Sequence, residues 1–478
     1  MGVMGQRRLV AGVDSSTQSC KVVVCDADSG AVVRMGRAAH PDGTEVSADH
    51  WWTAYTEATA DGLLDDVEAI AVGGQQHGMV TLDEDNALVR DALLWNDTRS
   101  ADAARDLVSE LGGAQAWVDA VDCVPVASFT VTKLRWLAEH EAANARRTHT
   151  VVLPHDWLTG RILQQAGGFG GWTTDRGDAS GTCYWSALTD DYRLDLMERA
   201  LGRAVEVPRV LRPAERAGVT DSGMVVGPGT GDNMGAALGL GLRPGDVVVS
   251  LGTSGAVFAE HDAAVGDADG YVAGFASATG GHLPLACTLN AARVLTAGAH
   301  LLGTDLAGLD RLALAAEPGA DGLSLLPYLD GERTPNLPDA TGTLGGLTRA
   351  NATPENLARA CVEGMLCNLA NSVDALRERG THVERVLMIG GASQSAAVRE
   401  VAPRVLGAPV VVPTPGEYVG VGAARQAAWV LTGGEKPPRW DVSLETELEP
   451  PSGRADLEQD EHVRSRYADL QRGLYGER

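Results

Sequence analysis

Two short runs of hydroxyl-bearing and small residues are suited to holding an anion. The first is Asp14-Ser15-Ser16-Thr17-Gln18, and the second, near the middle of the chain, is Leu251-Gly252-Thr253-Ser254. Tight turns expose successive backbone N–H groups, and short hydroxyls add donors without bulk, so each run can cradle phosphate oxygens. The carboxylate of Asp14 precedes the first turn, where it suits Mg²⁺. We expect two phosphate-binding turns with a metal at Asp14, although such turns are also common as purely structural features.

A carboxylate follows a glycine-rich run in the first half of the chain. Gly227-Pro228-Gly229-Thr230-Gly231 leads to Asp232 and Asn233, and small residues suited to a helix come next. One interpretation makes Asp232 a helix N-cap. The other makes it a general base that takes a proton from a hydroxyl group. The two are compatible, because a residue at a helix start can do both.

Two polar clusters follow strand-like segments in the first half. They are Gly74-Gln75-Gln76-His77-Gly78 and Trp95-Asn96-Asp97-Thr98-Arg99. Amide, imidazole and carboxylate groups can bond the hydroxyls of a polyhydroxylated molecule, while an indole covers its C–H face. A lone histidine in a turn is also often structural, so His77 keeps that alternative.

Two glycine-containing segments in the second half suggest a nucleotide site. Gly390-Gly391-Ala392-Ser393 and Gly420-Val421-Gly422 are each expected to form a turn before a helix. Because glycine has no side chain, a nucleotide can lie directly against such a backbone.

The elements that must position these groups alternate between strand and helix. Each phosphate run lies between β-rich stretches, which predicts a hairpin around each one. The recurrence of this device indicates two domains of related design, with chance similarity as the alternative. The helix expected at 354–376, with Thr353 as N-cap, and the strand expected at 386–389 favour an α/β class with mixed sheets. We place a domain boundary near Arg243-Pro244-Gly245.

Composition excludes several classes of function. The 478 residues carry a formal charge of −25, which disfavours nucleic acid and anionic membrane as partners. No run approaches the roughly 18 uninterrupted apolar residues of a membrane span. The seven cysteines are scattered and never spaced Cys-x-x-Cys, which favours a reducing, cytoplasmic location. No Gly-x-x-x-x-Gly-Lys-Ser/Thr occurs, so a P-loop nucleotidase is excluded.

The order of these motifs, ending in Leu326-Pro327-Tyr328-Leu329-Asp330-Gly331-Glu332-Arg333-Thr334-Pro335, resembles the FGGY carbohydrate kinases, most closely the xylulokinases. The resemblance covers about residues 9–430. It implies two actin-like (ribonuclease H-like) domains with an interdomain cleft. The expected division is 1–243 for sugar and base, 244–435 for nucleotide, and 436–478 as a polar tail with a short closing helix. It also implies ATP- and Mg²⁺-dependent phosphorylation of a ketopentose, D-xylulose to its 5-phosphate.

The resemblance also implies roles for individual residues. Asp232 matches the family's catalytic base, and the expected sugar-binding residues are Gln76, His77, Trp95, Asn96, Asp97 and Asn233. The expected metal residue is Asp14, and the expected ATP-binding residues are Ser16, Thr17, Gln18, Gly252, Thr253, Ser254, Gly390, Gly391, Ala392 and Gly420. The departures are Ser15-Ser16 in the first turn, His155-Asp156 in place of Lys-Asp, and Gln76 in place of the Met of some relatives.

Other functions remain open from the sequence. The substrate could be another sugar or polyol, such as ribulose or erythritol. An actin-like ATPase acting as chaperone or filament is a further alternative, as is a sugar-responsive regulator without turnover. The expected partners are a small-molecule sugar and ATP, and a homodimer is compatible with these features.

Overall fold

The computed structural model describes residues 7–476. In chain order the strands are β1 (Leu9–Ser15), β2 (Ser19–Asp26), β3 (Val32–Ala39), β4 (Glu45–Val46), β5 (Val67–Gly74), β6 (Val80–Leu82), β7 (Ala92–Leu93), β8 (Thr150–Val152), β9 (Thr173–Asp175), β10 (Trp185–Ser186), β11 (Asp191–Tyr192), β12 (Arg209–Leu211), β13 (Gly218–Val219), β14 (Val225–Val226), β15 (Thr230–Gly231), β16 (Asp246–Leu251), β17 (Gly255–Ala259), β18 (Ala273–Ala276), β19 (His282–Thr288), β20 (Ser324–Leu326), β21 (Thr343–Gly345), β22 (Arg385–Ile389), β23 (Val410–Pro413) and β24 (Leu444–Leu448).

The α-helices are α1 (Asp49–Ala58), α2 (Ala101–Leu111), α3 (Ala114–Val121), α4 (Thr130–His140), α5 (Ala142–Arg147), α6 (Pro154–Ala166), α7 (Arg176–Ser180), α8 (Leu194–Leu201), α9 (Asp232–Leu240), α10 (Ala292–Leu301), α11 (Leu306–Ala315), α12 (Pro354–Glu378), α13 (Ala396–Leu406), α14 (Tyr418–Thr432) and α15 (Arg454–Tyr475). Short 3₁₀ helices occur at Ala320–Gly322 and Gly391–Gln394.

The first large sheet is built around the hairpin expected near residue 14. Its strand order is β13-β14-β5-β1-β2-β3, and β15 also pairs with β5. Strands β1 and β2 are antiparallel and place Asp14 opposite Lys21, whereas β1 and β5 are parallel and pair Asp14 with Gly73. Because the parallel strands β1 and β5 end at one edge, the first turn and the Gly74–His77 segment lie side by side.

The second large sheet repeats this arrangement around the second hairpin. Its order is β18-β19-β17-β16-β22-β23-β24, with β16 antiparallel to β17 and parallel to β22. The parallel neighbour β22 ends just before Gly390, as β5 ends before Gln75. The predicted α/β class with two sheet-containing domains of related design is therefore confirmed.

Helices α9 and α14 join the two halves of the molecule. Helix α9 contributes Met234 and Leu238 to a core shared with Phe258 of the second sheet. Helix α14 follows the second sheet in sequence but packs on β1 and β5 of the first. A Cβ at Gly422 would lie 1.8 Å from the Gly235 carbonyl oxygen, so the two helix backbones meet where no side chain fits.

The segment around Gly420 lies inside α14, so the turn expected there is wrong. Gly420 and Gly422 are instead the positions where the helix backbone approaches neighbouring backbone closely. A Cβ added at Gly12 of β1 would lie 1.9 Å from the Gly420 carbonyl oxygen. Glycine is used here for close helix packing.

Helix α12 begins as expected, since Thr353 Oγ1 accepts a hydrogen bond of 3.2 Å from the Asn356 N–H. The closing helix expected in the tail is α15, which begins at Arg454 and is 22 residues long. Its first turns lack an apolar repeat but are held by ion pairs from Arg404 to Asp456 and Asp460. Ion pairing across elements is invisible to a periodicity argument. Strand β24, also in this tail, adds an edge to the second sheet beside β23.

Candidate active site

A cleft of about 460 Å³ lies where the two hairpins meet the first residues of α9 and α14. It is lined by residues from both large sheets. The expected site residues that reach it are Asp14, Ser16, Thr17, Gln76, His77, Trp95, Asp232, Asn233, Gly252, Thr253, Ser254 and Gly390. The structure thus brings the candidate base, four of the expected sugar-binding side chains and both expected phosphate turns to one cavity.

Asp232 is half-buried at the first position of α9, and Gly231 occupies the N-cap position. Its Oδ1 accepts hydrogen bonds from the Asn233 N–H at 2.8 Å and from Asn233 Nδ2 at 2.9 Å. Burial, reinforced by the charge of Asp14, raises the pKa of Asp232 to about 7. A carboxyl group with a pKa near neutrality is suited to take a proton during catalysis.

Gln76 and Asn233 are joined across the cleft floor. Asn233 Nδ2 donates a hydrogen bond of 3.2 Å to Gln76 Oε1, which fixes the orientation of the Gln76 amide. Gln76 Nε2 is buried, and within residues 7–476 it has no hydrogen-bond acceptor. A buried donor without an acceptor is costly, so this group is suited to a ligand oxygen.

His77 is held as a neutral imidazole. Its Nδ1 lies 2.8 Å from the Gly181 carbonyl oxygen, which can only accept, so Nδ1 carries the proton. Burial, with the nearby Arg333 charge, lowers the pKa of His77 well below its usual value. Nε2 is consequently left as an acceptor. The backbone φ of His77 is 67°, a strained value for a residue with a side chain and one that recurs at functional sites.

The first hairpin carries charged groups at the cleft. Asp14 accepts a hydrogen bond from Ser16 Oγ, and its Oδ2 lies 3.6 Å from Lys21 Nζ. Lys21 also pairs with Glu417 at 2.5 Å. Burial raises the pKa of Asp14 despite these partners. Lys21 was not singled out in the sequence, yet the hairpin register that pairs it with Asp14 could have identified it.

These groups are compatible with Mg²⁺. Mg²⁺ prefers hard oxygen ligands and is commonly held by one or two carboxylates together with phosphate oxygens and water. The buried Asp14 carboxylate faces the cleft on the same side as Asp232, whose pKa it raises. The donor set therefore fits the ion.

The second hairpin presents backbone and hydroxyl groups without charge. Its turn, Gly252–Ser254, lies beside Gly390, whose φ is 90° and whose Cβ, if present, would be 2.6 Å from the Leu251 carbonyl oxygen. Only glycine fits there. A Cβ at Gly391 would meet nothing within 4 Å, and Gly391 lines an adjoining cavity of about 570 Å³ that continues from the cleft. This second cavity gives the cleft room for an elongated ligand.

Five expected site residues line neither cavity, namely Gln18, Asn96, Asp97, Ala392 and Gly420. Gln18 and Asn96 are exposed, and Asp97 is buried. The Asp97 carboxylate accepts from Thr44 Oγ1 at 2.8 Å and Arg99 Nε at 2.8 Å, so it braces its own loop.

On the nucleotide side, Ala392 is buried in the 3₁₀ turn. Gly420 packs toward Val23 of β2, where an added Cβ would lie 3.2 Å from a Val23 methyl. The residues of this region that reach the cleft are instead Gly416, Glu417, Tyr418 and Val419.

Arg333 also lines the cleft, although its role was not assigned from the sequence. Its guanidinium carbon lies 5.7 Å from the Phe129 ring centroid. The preceding Glu332 is 1% exposed and accepts hydrogen bonds from Leu289 N and from Asn290 and Asn368 side chains. These bonds anchor the loop, so Arg333 is presented to the cleft from a rigid support.

Lys133 contributes support to the sugar side of the site. It is fully buried, and its Nζ donates to the Ala127 carbonyl at 2.9 Å and to that of Ser128. Burial lowers the pKa of Lys133 to about 7. The loop it braces carries Phe129, which packs edge-on against His77.

No helix among residues 7–476 is long and apolar enough to cross a bilayer.

The two related sheets enclose a cleft, and each contributes a donor-rich hairpin to it. A carboxyl group whose pKa is raised toward neutrality lies in the same cleft. This arrangement is that of a phosphotransferase of the actin-like class. The comparison with known proteins specifies the family. The N-terminal domain of the FGGY family of carbohydrate kinases matches residues 9–239, and its C-terminal domain matches residues 247–431. The chain belongs to the FGGY family, and it is a carbohydrate kinase that uses ATP.

Individual relatives agree with this assignment. The chain is 46% identical over 440 residues to the xylulose kinase of Streptomyces coelicolor, covering 89% of this chain and 88% of the relative. It is 45% identical over 479 residues to that of Streptomyces rubiginosus, covering 96% and 95%. The crystal structure of xylulose kinase from Bifidobacterium adolescentis superimposes with a TM-score of 0.88 at 45% identity, covering 96% of this chain and 99% of that one.

Proposed function

We propose that this protein transfers the γ-phosphoryl group of ATP to D-xylulose and forms D-xylulose 5-phosphate. The observation that carries the proposal is the position of Asp232, which shares one cleft with the sugar-type groups of the first half and both phosphate turns. The names of the relatives at 45–46% identity support D-xylulose as the acceptor.

In the proposed reaction Asp232 is the base. As the sugar oxygen forms its bond to the γ-phosphorus, its proton passes to the Asp232 carboxylate, and the bond from phosphorus to the bridging oxygen of ADP breaks. Asn233 holds Oδ1 by two hydrogen bonds, so the second carboxylate oxygen is free to accept the proton. The pKa near 7 keeps the group largely ionised in a mildly basic solution, yet basic enough to accept a proton.

Gln76, His77 and Asn233 are proposed to orient the sugar. Gln76 Nε2 offers a donor and His77 Nε2 an acceptor, which together suit a hydroxyl that both accepts and donates. Trp95 lies beside them, and its Nε1 donates a 2.9 Å hydrogen bond to Thr17 Oγ1. That bond ties the sugar side of the cleft to the first phosphate turn.

Arg333 is proposed as a further sugar contact. A guanidinium group only donates hydrogen bonds, and a ketone oxygen only accepts them. The Arg333 charge is close enough to the site to lower the pKa of His77. Arg333 is therefore suited to an acceptor-only oxygen of an open-chain ketose.

The phosphate groups of ATP are proposed to lie between the hairpins. Thr17, Thr253 and Ser254 offer hydroxyl and backbone donors, and Lys21 adds a positive charge at the same end. Bound Mg²⁺, held by Asp14, would neutralise charge on the phosphate oxygens. The adjoining cavity at Gly391 is proposed for the rest of the nucleotide.

Several finer statements stay predictions. The division into residues 1–243, 244–435 and 436–478, the individual site roles and a homodimer belong to this group. A cytoplasmic location is proposed as well, and it is supported by seven cysteines without a disulfide.

The test is a panel of ketoses and polyols assayed for ADP release with Mg-ATP. We expect the highest kcat/KM with D-xylulose, above ribulose and erythritol. ADP release that does not depend on any sugar would favour an ATPase, and a clear preference for ribulose or erythritol would replace D-xylulose as the substrate.

A further inference from the structure

A buried ionic cluster lies directly beneath the sugar-binding side of the cleft. His155, at the start of α6, is 0% exposed and has carboxylates on both sides of its ring. Its Nδ1 is 2.6 Å from Asp178, and its Nε2 is 3.3 Å from Asp156 and 3.7 Å from Asp175. We name this group of four residues the His155 cluster; it consists of His155, Asp156, Asp175 and Asp178.

The three carboxyl groups around His155 favour a protonated imidazole. Burial by itself lowers the pKa of His155, but the charge of Asp156 and the hydrogen bond to Asp178 outweigh it and raise that pKa to about 10. Burial raises the pKa of Asp156 to about 7 and that of Asp175 to about 6. These shifts favour an imidazolium, whose charge would offset carboxylates that water cannot reach.

The short contact between His155 Nδ1 and Asp178 argues against a metal ion bound by both residues. His155, Asp156 and Asp178 place ligand-type atoms near one another, as a metal site would. Two ligands of one ion, each about 2.1 Å from it, are usually about 3 Å apart or more. The 2.6 Å separation of Nδ1 and Asp178 Oδ2 is that of a charge-assisted hydrogen bond.

The cluster contacts two segments of the active site. A Cβ at Gly74 would lie 2.9 Å from His155 Cβ, and a Cβ at Gly229 would lie 2.3 Å from His155 Cδ2. No side chain therefore fits between His155 and either backbone. Gly74 leads within three residues to His77, and Gly229 leads within three residues to Asp232.

Asp178, on the other side of the cluster, also interacts with His77 and Asp232. The His77 backbone N–H lies close enough to the Asp178 carboxylate to lower its pKa, and the Asp178 charge contributes to the raised pKa of Asp232. Asp175 accepts from the Gly177 and Asp178 N–H groups and so fixes the start of α7. The chain from His155 through Asp178 to His77 is continuous.

We propose that His155 is a positioning residue whose buried cation sets the spacing between the sugar-binding turn at His77 and the base Asp232. It touches neither the sugar nor ATP. It acts by holding Asp178 and by packing against Gly74 and Gly229. This inference rests on the proposed roles of His77 and Asp232.

The first test compares His155→Lys, which keeps a cation, with His155→Gln, which removes it. His140→Gln, on the exposed end of α4, is the matched control. We expect H155Q to lose about 100-fold in kcat/KM for the sugar, because a misplacement of about 1 Å is sufficient for such a loss. The KM for ATP should stay within about threefold, and H155K should recover to within about tenfold of the wild type.

Two results would overturn the proposal. One is an H155Q variant with wild-type kcat/KM for the sugar, and the other is an H155K variant as impaired as H155Q while its melting temperature matches the wild type. The sugar used is the one with the highest activity in the wild-type panel, so a wrong choice of D-xylulose does not affect the comparison.

A second measurement needs neither turnover nor the H155Q variant. Nitrogen NMR of ¹⁵N-histidine-labelled wild-type protein, with the His155 signal assigned from H155K, reports the protonation of each ring. We expect both His155 nitrogens to carry protons at pH 8, below the pKa of about 10. A neutral His155 ring at pH 8 would remove the proposed cation and with it the proposal.

Discussion

The hairpin β1–β2 and the hairpin β16–β17 both end at the cleft, but only the first carries charged side chains there. In the first, Asp14 is paired in register with Lys21. The corresponding pair in the second is Ser250 with Ala256. The two turns thus share a frame and differ in charge, as the proposal expects if the first turn binds the metal while the second supplies neutral donors to phosphate.

The helices that follow extend this difference. Helix α9 begins with Asp232, whose second oxygen is open to the cleft, whereas the residue before α14, Glu417, is paired with Lys21 at 2.5 Å. Both acids lie at helix starts beside the same cavity. Burial, and then the Asp14 charge, raise the pKa of Asp232 toward neutrality. Similar positions therefore carry different chemistry because their neighbours differ.

The largest expected effect separates these two acids. Asp232→Asn should lower kcat by roughly 10²- to 10⁴-fold, the usual contribution of a general base, while the sugar still binds. Glu417→Gln, the matched change at the other helix start, should lower kcat by no more than about tenfold. Steady-state kinetics measure kcat, and calorimetry measures sugar binding. Equal losses in the two variants would contradict the assignment of Asp232.

The next largest effect is expected in the pH dependence of kcat. Because the raised pKa of Asp232 is about 7, the carboxylate gains a proton as the pH falls and can no longer act as a base. We expect kcat to approach a tenfold fall per unit well below pH 7, and to fall about 50-fold between pH 7, where half of the groups are ionised, and pH 5. Burial, with the nearby Arg333 charge, holds the pKa of His77 well below its usual value.

Lys133, whose pKa is also about 7, provides the control for the pH measurement. The acidic limb should persist in Lys133→Met, because among residues 7–476 the Lys133 ammonium group bonds only to the loop carbonyls of Ala127 and Ser128. A pH-independent kcat between pH 5 and pH 8 in the wild type would rule out Asp232 as the titrating base.

A smaller effect, on the Mg²⁺ requirement, is expected when equivalent positions of the two hairpins are substituted. Asp14→Asn should increase the Mg²⁺ concentration needed for half-maximal rate by about tenfold or more, because a charged ligand oxygen becomes neutral. Ser250→Ala, at the corresponding position, should leave that concentration within about twofold. Titration of MgCl₂ at constant ATP measures both values. An unchanged Mg²⁺ requirement in D14N would place the metal elsewhere.

Much of this arrangement could be predicted from the sequence, because its signals are local. The alternation around Asp14 and around Thr253 predicted both hairpins, and the glycine-rich run before Asp232 predicted a bent backbone ahead of a helix. Both predictions depend only on neighbouring residues. The order of the motifs then indicated the family, which both domain matches confirm.

What could not be predicted depends on contacts between distant segments. Gly420 was interpreted as part of a turn because glycine is also common in turns, but it packs a helix against β1. Lys21 and Arg333 reach the cleft through strand pairing and through a loop anchored by Glu332. The His155 cluster joins α6 with α7, so its sequence spacing gave no signal.

We propose that a hydroxyl of D-xylulose and the γ-phosphoryl group of ATP react beside Asp232 between the two hairpins. Phosphorus NMR of a mixture of wild-type protein, Mg-ATP and D-xylulose, with D232N as the parallel sample, tests this reaction. We expect stoichiometric ADP and D-xylulose 5-phosphate with the wild type and neither product at a comparable rate with D232N. Formation of ADP and inorganic phosphate without a sugar phosphate, or equal product in both samples, would contradict it.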